Sequence, residues 1–360
     1  MVVFLLWLWQ QPVWGSPEAG IYQKLTPHRT AFSPKVGIFL LDPEKFWILH
    51  FGFDGELIKR IGGKGQGPGE LVHPMGLEVN QEHLLVYDQG FINLYDQNGT
   101  FLQKVYPPES VAQFRRVTHG WIGLSGLRFG QQNDPLTLLC FDSTRQQEKE
   151  LGSWRSERER LGEDVAFDRE ISHYNPAEAF TMVLVSKDGN WVYIQPGGEP
   201  DIHIFSMRDL KKVRTLTIDS APIPFDTQWG EQALAYMKKK SLESGSTTRW
   251  VGRFPSHFPV IYGMGLSIEG RLSVSKWGKP LPDMNEPEKS PGNFPLQVFT
   301  ATGEPTKETV FEKFMDRIIG YKPPWIYLIV FSEKDGYSFT RCTVEEIASW
   351  VGKFPLPLMD

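Results

Sequence analysis

The residues of this chain with the most chemistry in reach are its eight histidines, at positions 28, 50, 73, 83, 119, 173, 203 and 257. Neutral imidazole is a good ligand for divalent metals, and carboxylate is a hard one. His73, His119, His173 and His257 each fall near the start of a strand-rich segment, and Glu70 and Asp168 lie close to two of them. If those segments converge, the set can build a divalent-cation site. Scatter of this kind is equally what surface preference produces, so no cofactor is expected unless that convergence occurs. Arg115 and Arg253, also near segment starts, are candidates for an anion pocket. Arg116 follows Arg115 on a strand, where neighbours point to opposite faces, so only one of that pair can enter a given pocket.

Other chemistry is ruled down by pattern. There is no Gly-x-Ser-x-Gly elbow, no phosphate-binding Walker loop and no His-Glu-x-x-His. The run Gly63-Lys-Gly-Gln-Gly-Pro-Gly69 looks like a phosphate cradle, but Pro68 removes a donor amide and no Lys-Ser/Thr pair follows. A turn between structural units is expected there. Cys140 and Cys342 lie far apart in apolar, strand-like runs with no metal-ligand spacing, so two separate buried thiols are expected rather than a zinc site. Asn98-Gly-Thr100 fits a glycosylation sequon and, equally, an ideal hairpin turn; the turn accounts for it.

The elements that must position these residues are strands. The chain has 34 Gly and 27 Pro in 360 residues, above the usual ~12%, which favours many turns and few long helices. With 40% apolar residues, 13% aromatic and 12 Trp, it can bury a substantial core. Its net charge of −5 supplies no basic field for phosphates, so nucleic acid is not expected as a partner. A unit of strand, turn, strand, Asp/Asn-Gly turn and strand recurs along the chain. Its cleanest copy runs over residues 62–106: strands at 75–79, 84–88, 91–96 and 100–105, with Gln89-Gly90 and Asn98-Gly99 as turns. Four antiparallel strands in about 45 residues describe a propeller blade. Five further copies start near residues 36, 114, 180, 261 and 326, which over residues 21–345 gives about 54 residues per unit. The expected fold is therefore all-β, a single-domain six-bladed β-propeller with four-stranded antiparallel blades, a count of seven also being open.

The blade at 62–106 also carries a family resemblance. Gly65-Gln-Gly-Pro-Gly-Glu-Leu71, Pro74-Met-Gly-Leu77, Leu85-Val-Tyr-Asp88 and Ile92-Asn-Leu-Tyr-Asp96 with Gly99 resemble an NHL-type six-bladed β-propeller repeat. The resemblance implies binding of proteins, sugars or nucleic acids. For the minority of such proteins that resemble gluconolactonases or peptide-amidating lyases, it implies metal-dependent catalysis. The acidic and Asn ligands of the lactonase pattern find no positions here, so no catalytic residues are carried over.

The remaining segments set location and specificity. Residues 1–9 are apolar and too few to span a bilayer. With Gly15 and Ser16 as small residues near a cut, residues 1–16 are expected to be a signal peptide lacking its basic start, and the protein to be exported to a periplasmic or extracellular space. A hydrophobic first strand or lipid-facing anchor is the alternative. Residues 154–164 read as a solvated charged segment, 226–240 as a short helix ending in Lys238 to Lys240, 279–292 as a long Pro-rich loop and 346–360 as a tail. Whether residues 21–35 close the ring by completing the last blade, which would tie the ends together, is left open by the sequence. The functional expectation is a monomeric binding or scaffold module, with a protein, small-molecule or carbohydrate ligand on the loop face around the channel and no membrane span. The alternative is a metal-dependent hydrolase or lyase.

Overall fold

A computed structural model describes residues 29–80, 82–108, 111–126, 135–155, 171–174, 181–221, 223–243, 249–252, 254–267, 269–279, 281, 295–307, 318–332 and 336–346. The contacts divide residues 21–345, expected as one domain, between two compact units: Met1–Pro107 with Thr309–Phe354, and Pro108–Glu308 with Pro355–Asp360. Each unit holds three antiparallel blades, and the six blades make the chain a six-bladed β-propeller.

In the first unit, blade one contains β1 (Thr30–Ser33), β2 (Gly37–Asp42), β3 (Trp47–Phe51) and β4 (Leu57–Gly62). Blade two contains β5 (Gly76–Val79), β6 (His83–Asp88), β7 (Phe91–Asp96) and β8 (Phe101–Val105), within a residue of the sequence expectation. In the second unit, blade three runs β9 (Val111–Val117), β10 (Gly120–Ser125), β11 (Leu136–Phe141) and β12 (Gln147–Trp154). A small parallel pair lies outside the blades, β13 (Ile171–Tyr174) with β18 (Arg249–Gly252). Blade four runs β14 (Met182–Val185), β15 (Trp191–Gln195), β16 (Asp201–Ser206) and β17 (Lys211–Thr217). Blade five runs β19 (Ile261–Leu266), β20 (Leu272–Lys276), β21 (Leu296–Phe299) and β22 (Pro305–Thr306). Blade six returns to the first unit with β23 (Ile318–Lys322), β24 (Trp325–Ser332) and β25 (Gly336–Thr343), three strands among the described residues.

Pairing decides one strand assignment that the sequence leaves open and corrects another. Residues 30–33 do not complete the last blade: β1 pairs with β2, from Thr30 opposite Leu40 to Ser33 opposite Gly37, as the innermost strand of blade one. Residues 21–28 lie outside the described residues. The sixth blade opens with β23, eight residues ahead of the Ile326 that its apolar run suggested, because Ile318-Ile-Gly-Tyr-Lys322 has a weak strand pattern and forms by pairing with β24. The fourth strand of blade five forms at 305–306, and residues 309–311 lie outside the described residues.

The strands are apolar on both faces because each sheet is covered twice. In β2 all six residues are buried. Ile38 and Leu40 pack with Leu49, Phe51 and Tyr327 of blade six, while Phe39 and Leu41 pack with Leu77, Leu84 and Val86 of blade two. In the second unit, Val192 and Ile194 face blade three and Tyr193 faces blade five. A satellite core of Trp229, Phe258 and Trp277 seats α1 (Thr227–Glu243), whose N-cap is Asp226: its Oδ1 accepts from Trp229 N at 3.1 Å. The first turn of α1 holds no acidic residue, so the cap rather than an acidic start defines its N-terminus. Among the described residues no helix is long and apolar enough to cross a membrane. Cys140 and Cys342 are both buried thiols and form no disulfide, as expected.

The hairpins between third and fourth strands repeat one geometry. Gly55, Gly99, Arg145, Leu210 and Gly303 hold positive φ at the same turn position. The left-handed region costs an L-residue roughly 1–2 kcal/mol, and Arg145 (φ 70°) is exposed in its turn. Arg145→Gly is expected to raise unfolding free energy by about 1 kcal/mol, read as an increase in the urea midpoint at unchanged slope.

Candidate functional site

The glycine-rich loop between β4 and β5 is built to be rigid. Lys64 and Leu71 form a parallel bridge, Gly65 N donates to Leu71 O (3.1 Å) and Leu71 N to Gly63 O (2.7 Å). The cradle of backbone amides that looks like a phosphate site is filled by the chain's own anion. Glu70 Oε2 accepts from Gly67 N at 2.7 Å, and a Cβ added to Gly65 would sit 2.0 Å from that oxygen. Glu70 therefore holds its own loop.

The motif residues of blade two lock this loop from beneath. Tyr95 Oη donates to Gly69 O (2.8 Å) and Asn93 Nδ2 to Glu70 O (3.2 Å), while Gln97 Nε2 donates to Asn80 O (2.7 Å) in the β5–β6 turn. Ser33 Oγ of blade one donates to Gln97 Oε1 at 2.7 Å. Asp88, 2% exposed, accepts from the backbone amides of Val72, His73 and Gln89 at 2.8, 2.5 and 2.8 Å. Burial, with the Asp88 charge adding to it, pushes the Tyr95 phenol above its ordinary pKa, so it stays a donor. Asp88→Ala leaves three part-buried amides without their acceptor and should cost about 1–3 kcal/mol, measured by urea denaturation, with Asp88→Asn recovering part of the loss.

The proposed histidine and arginine sites are dispersed over these elements. His73 is exposed on the loop, and its backbone amide rather than its ring is used, by Asp88. His119 is exposed in the β9–β10 turn, and His257 is exposed with Nδ1 3.1 Å from the Oγ of its neighbour Ser256. His173 lies in β13, opposite Val251 of β18, and so outside the blades. Arg115 is half-buried in β9, its Nη1 donating to Phe114 O at 3.2 Å. Arg253 and Asp168 lie outside the described residues. Among the described residues, no three His, Cys, Asp or Glu side chains come together as a metal-holding group.

His50 and His203, which the sequence did not single out, are buried where the charged form of the ring is disfavoured. His50 stacks on Phe39 at 4.4 Å between ring centroids, its Nε2 is 2.9 Å from Val36 O, and its Nδ1 is buried without a partner. His203 Nδ1 is 3.2 Å from Thr215 Oγ1 and its Nε2 is buried without a partner. Burial lowers both pKa values below the ordinary 6.5, with Lys59 adding for His50 and Lys212 for His203. Below that ordinary value the unfolded chain takes up protons that the folded chain refuses, so stability must fall as pH drops through 6.5. The thermal midpoint is expected to be lower at pH 5.5 than at pH 7.5, and the slope between them to flatten in His50→Gln and His203→Gln.

A groove of about 610 Å³ lies in the first unit, against the β1–β2 and β3–β4 turns. Antiparallel geometry places these turns at the end of blade one opposite the glycine-rich loop. The groove therefore lies at the hairpin end of blade one, not at the loop end where the ligand is expected from the sequence. Its floor is Phe53, flanked by Val36, Leu57 and Ile58. Phe53 is fixed from several sides: Phe32 at 6.0 Å, Tyr327 at 6.1 Å, and the Lys322 ammonium 3.4 Å over its ring. Arg341 of β25 donates to Phe53 O at 3.3 Å and lies 4.6 Å over the Trp325 ring. Lys35 and Arg341 supply positive charge to the groove, and Asp54 and Glu56 negative charge. The turn is held by Gly52 N to Glu56 O (2.9 Å) and Glu56 N to Asp54 Oδ1 (3.1 Å). Leu57 and Ile58 remain 38% and 56% exposed. In sequence only the Phe53-Asp-Gly55 turn marks this site; Arg341, on the far side, is 288 residues from Phe53 and carries no local signal.

The fold and this geometry define a β-propeller with an amphiphilic groove at the hairpin end of blade one, lined also by Arg341 of blade six. No family model matches the chain, and no curated protein matches it. It is similar to solved structures at low identity. A candidate exported protein of Bacteroides fragilis is 12% identical over 92% of this chain and 93% of its own, with a TM-score of 0.48. A DUF4221 family member from Bacteroides vulgatus is 9% identical over 92% and 96%, with a TM-score of 0.47. The Myceliophteria thermophila Cps50 (Swd1) β-propeller domain is 11% identical over 92% and 89%, with a TM-score of 0.39.

Proposed function

We infer that this chain is an exported, NHL-like binding module whose hairpin-face groove takes a short extended peptide. The observation that carries the reading is the groove's composition. An apolar floor is immobilised by aromatic and cationic neighbours, with charges of both signs around it and two large aliphatic side chains left exposed beside it. A volume of about 610 Å³ falls within the ~300–1,000 Å³ of ligand sites, and a rigid apolar patch with a few placed polar groups is their usual make-up. An apolar side chain would seat on Phe53, an acidic neighbour would meet Lys35 and Arg341, and a basic one Asp54 and Glu56. Phe53 needs no reorganisation on binding, which removes part of the ordering cost. The NHL-like character rests on the motif of residues 62–106, whose residues lock the blade-two loop. Export rests on the apolar composition of residues 1–16.

The test is a random 12-residue phage-displayed library panned on the full chain, with depletion on Ile58→Asp and Glu56→Lys, both at exposed positions. The expected result is enriched peptides with one apolar residue between opposite charges, binding at least tenfold more weakly to either variant. Enrichment that is absent, or that is indifferent to both substitutions, overturns the reading.

A further inference from the structure

We propose that protonation of His50 loosens the wall of the peptide groove, so that a peptide is held at neutral pH and released in acid, a coupling that rests on the peptide reading of that groove. The wall is the β1–β2 turn, whose Lys35 and Val36 line the groove. A chain of hydrogen bonds pins this turn and runs on into blade two. Ser33 Oγ accepts from Lys35 N (3.2 Å) and Val36 N (3.4 Å) and donates to Gln97 Oε1 (2.7 Å), and Gln97 Nε2 donates to Asn80 O (2.7 Å). Ser33 thus grips the amides of the turn. Its carbonyl side is gripped by a titratable group, since His50 Nε2 lies 2.9 Å from Val36 O.

The neutral ring suits this place. Its Nε2–H serves Val36 O, and its Nδ1 keeps a lone pair that asks for no acceptor. A second proton has nowhere to go. Nδ1 is buried and meets no partner among the described residues, and Phe39 covers the ring at 4.4 Å between centroids with 19° between planes. An N–H placed there carries its full desolvation penalty. The ring regains water only by leaving its stack, and that movement withdraws the donor from Val36 O. The charges around it do not offset this. Lys59, opposite His50 in β4, disfavours the cation, and Lys35 puts a second positive charge on the turn. Blade two reaches the turn through the uncharged Gln97 and Asn80, beside which stand Asp96, Glu82 and His83, the last with Nδ1 3.9 Å from Glu82 Oε2. Of these only His83 titrates in the range of His50. The groove carboxylates Asp54 and Glu56 belong to a type that titrates near ~4, below that range. Binding therefore selects the neutral ring. Affinity is complete above the ordinary 6.5 and falls as pH drops through the lower value of the folded state.

The test titrates a histidine-free peptide from the groove panning against the full chain, His50→Gln and His83→Gln at pH 7.5 and 5.0. Gln keeps an amide donor for Val36 O and takes no proton. The full chain and His83→Gln should bind about fivefold or more weakly at pH 5.0, and His50→Gln should change by less than about twofold. Two further readouts separate the coupling from the groove reading. Exchange at the Lys35–Gly37 amides, corrected for its intrinsic pH dependence, should quicken at pH 5.0 in the full chain and not in His50→Gln, with no peptide present. Should His50→Gln fail to fold, the His50 ring titration followed by NMR in the full chain should move to lower pH when peptide saturates the groove, because linkage is reciprocal. Equal affinity at the two pH values, a loss that persists in His50→Gln, or a ring titration indifferent to peptide overturns the coupling and leaves the groove reading standing. A library that yields no groove-dependent peptide overturns both, and the exchange at Lys35–Gly37 then shows whether the turn itself answers to His50.

Discussion

The interaction on which the rest depends is the burial of each sheet on both of its faces. Successive side chains of a strand point to opposite sides, so Ile38 and Leu40 meet blade six while Phe39 and Leu41 meet blade two. Neither set is buried in an isolated blade, which would leave an apolar face in water at roughly 25 cal/mol per Å². The strands therefore read as continuous apolar runs. Side-chain donors of Tyr95, Asn93 and Gln97 bond backbone carbonyls within the same layers.

Burial weakens toward the outer strands, and there the structure protects its edges by geometry. An outermost strand carries unpaired backbone groups that invite another strand. In blades one, two and four a bulge interrupts that strand just past the turn, twisting the edge and exposing its extra residue. Two of the tight turns keep a non-glycine residue in the left-handed region, Arg145 and Leu210, so the turn geometry is imposed by strand pairing as well as by turn chemistry.

The groove follows from the same layering. Phe53 sits where the core between blades one and six reaches the hairpin end, and cations from β23–β25 fix it there. A site made this way is stiff, because its floor is the margin of a packed core. The glycine-rich loop at the other end is held in a different way: Glu70 and Asp88 place carboxylates against its amides.

What the sequence by itself determined was whatever depends on neighbours along the chain. Alternation, Asp/Asn-Gly turns and apolar runs placed most strands, the six blades and the helix at Asp226, and the motif at 62–106 marked the loop whose locking residues the structure explains. The strands β1 and β23 were not legible, because four or five weakly patterned residues become strands only through pairing with β2 and β24. The site was not legible either. His73, His119 and His257 are near blade entrances in sequence, but their rings are exposed, since proximity to a turn fixes no side-chain direction. Phe53 and Arg341 meet only because blade six packs against blade one. Tertiary packing alone decided that pairing, for a contact between residues so far apart leaves no periodic trace in either segment.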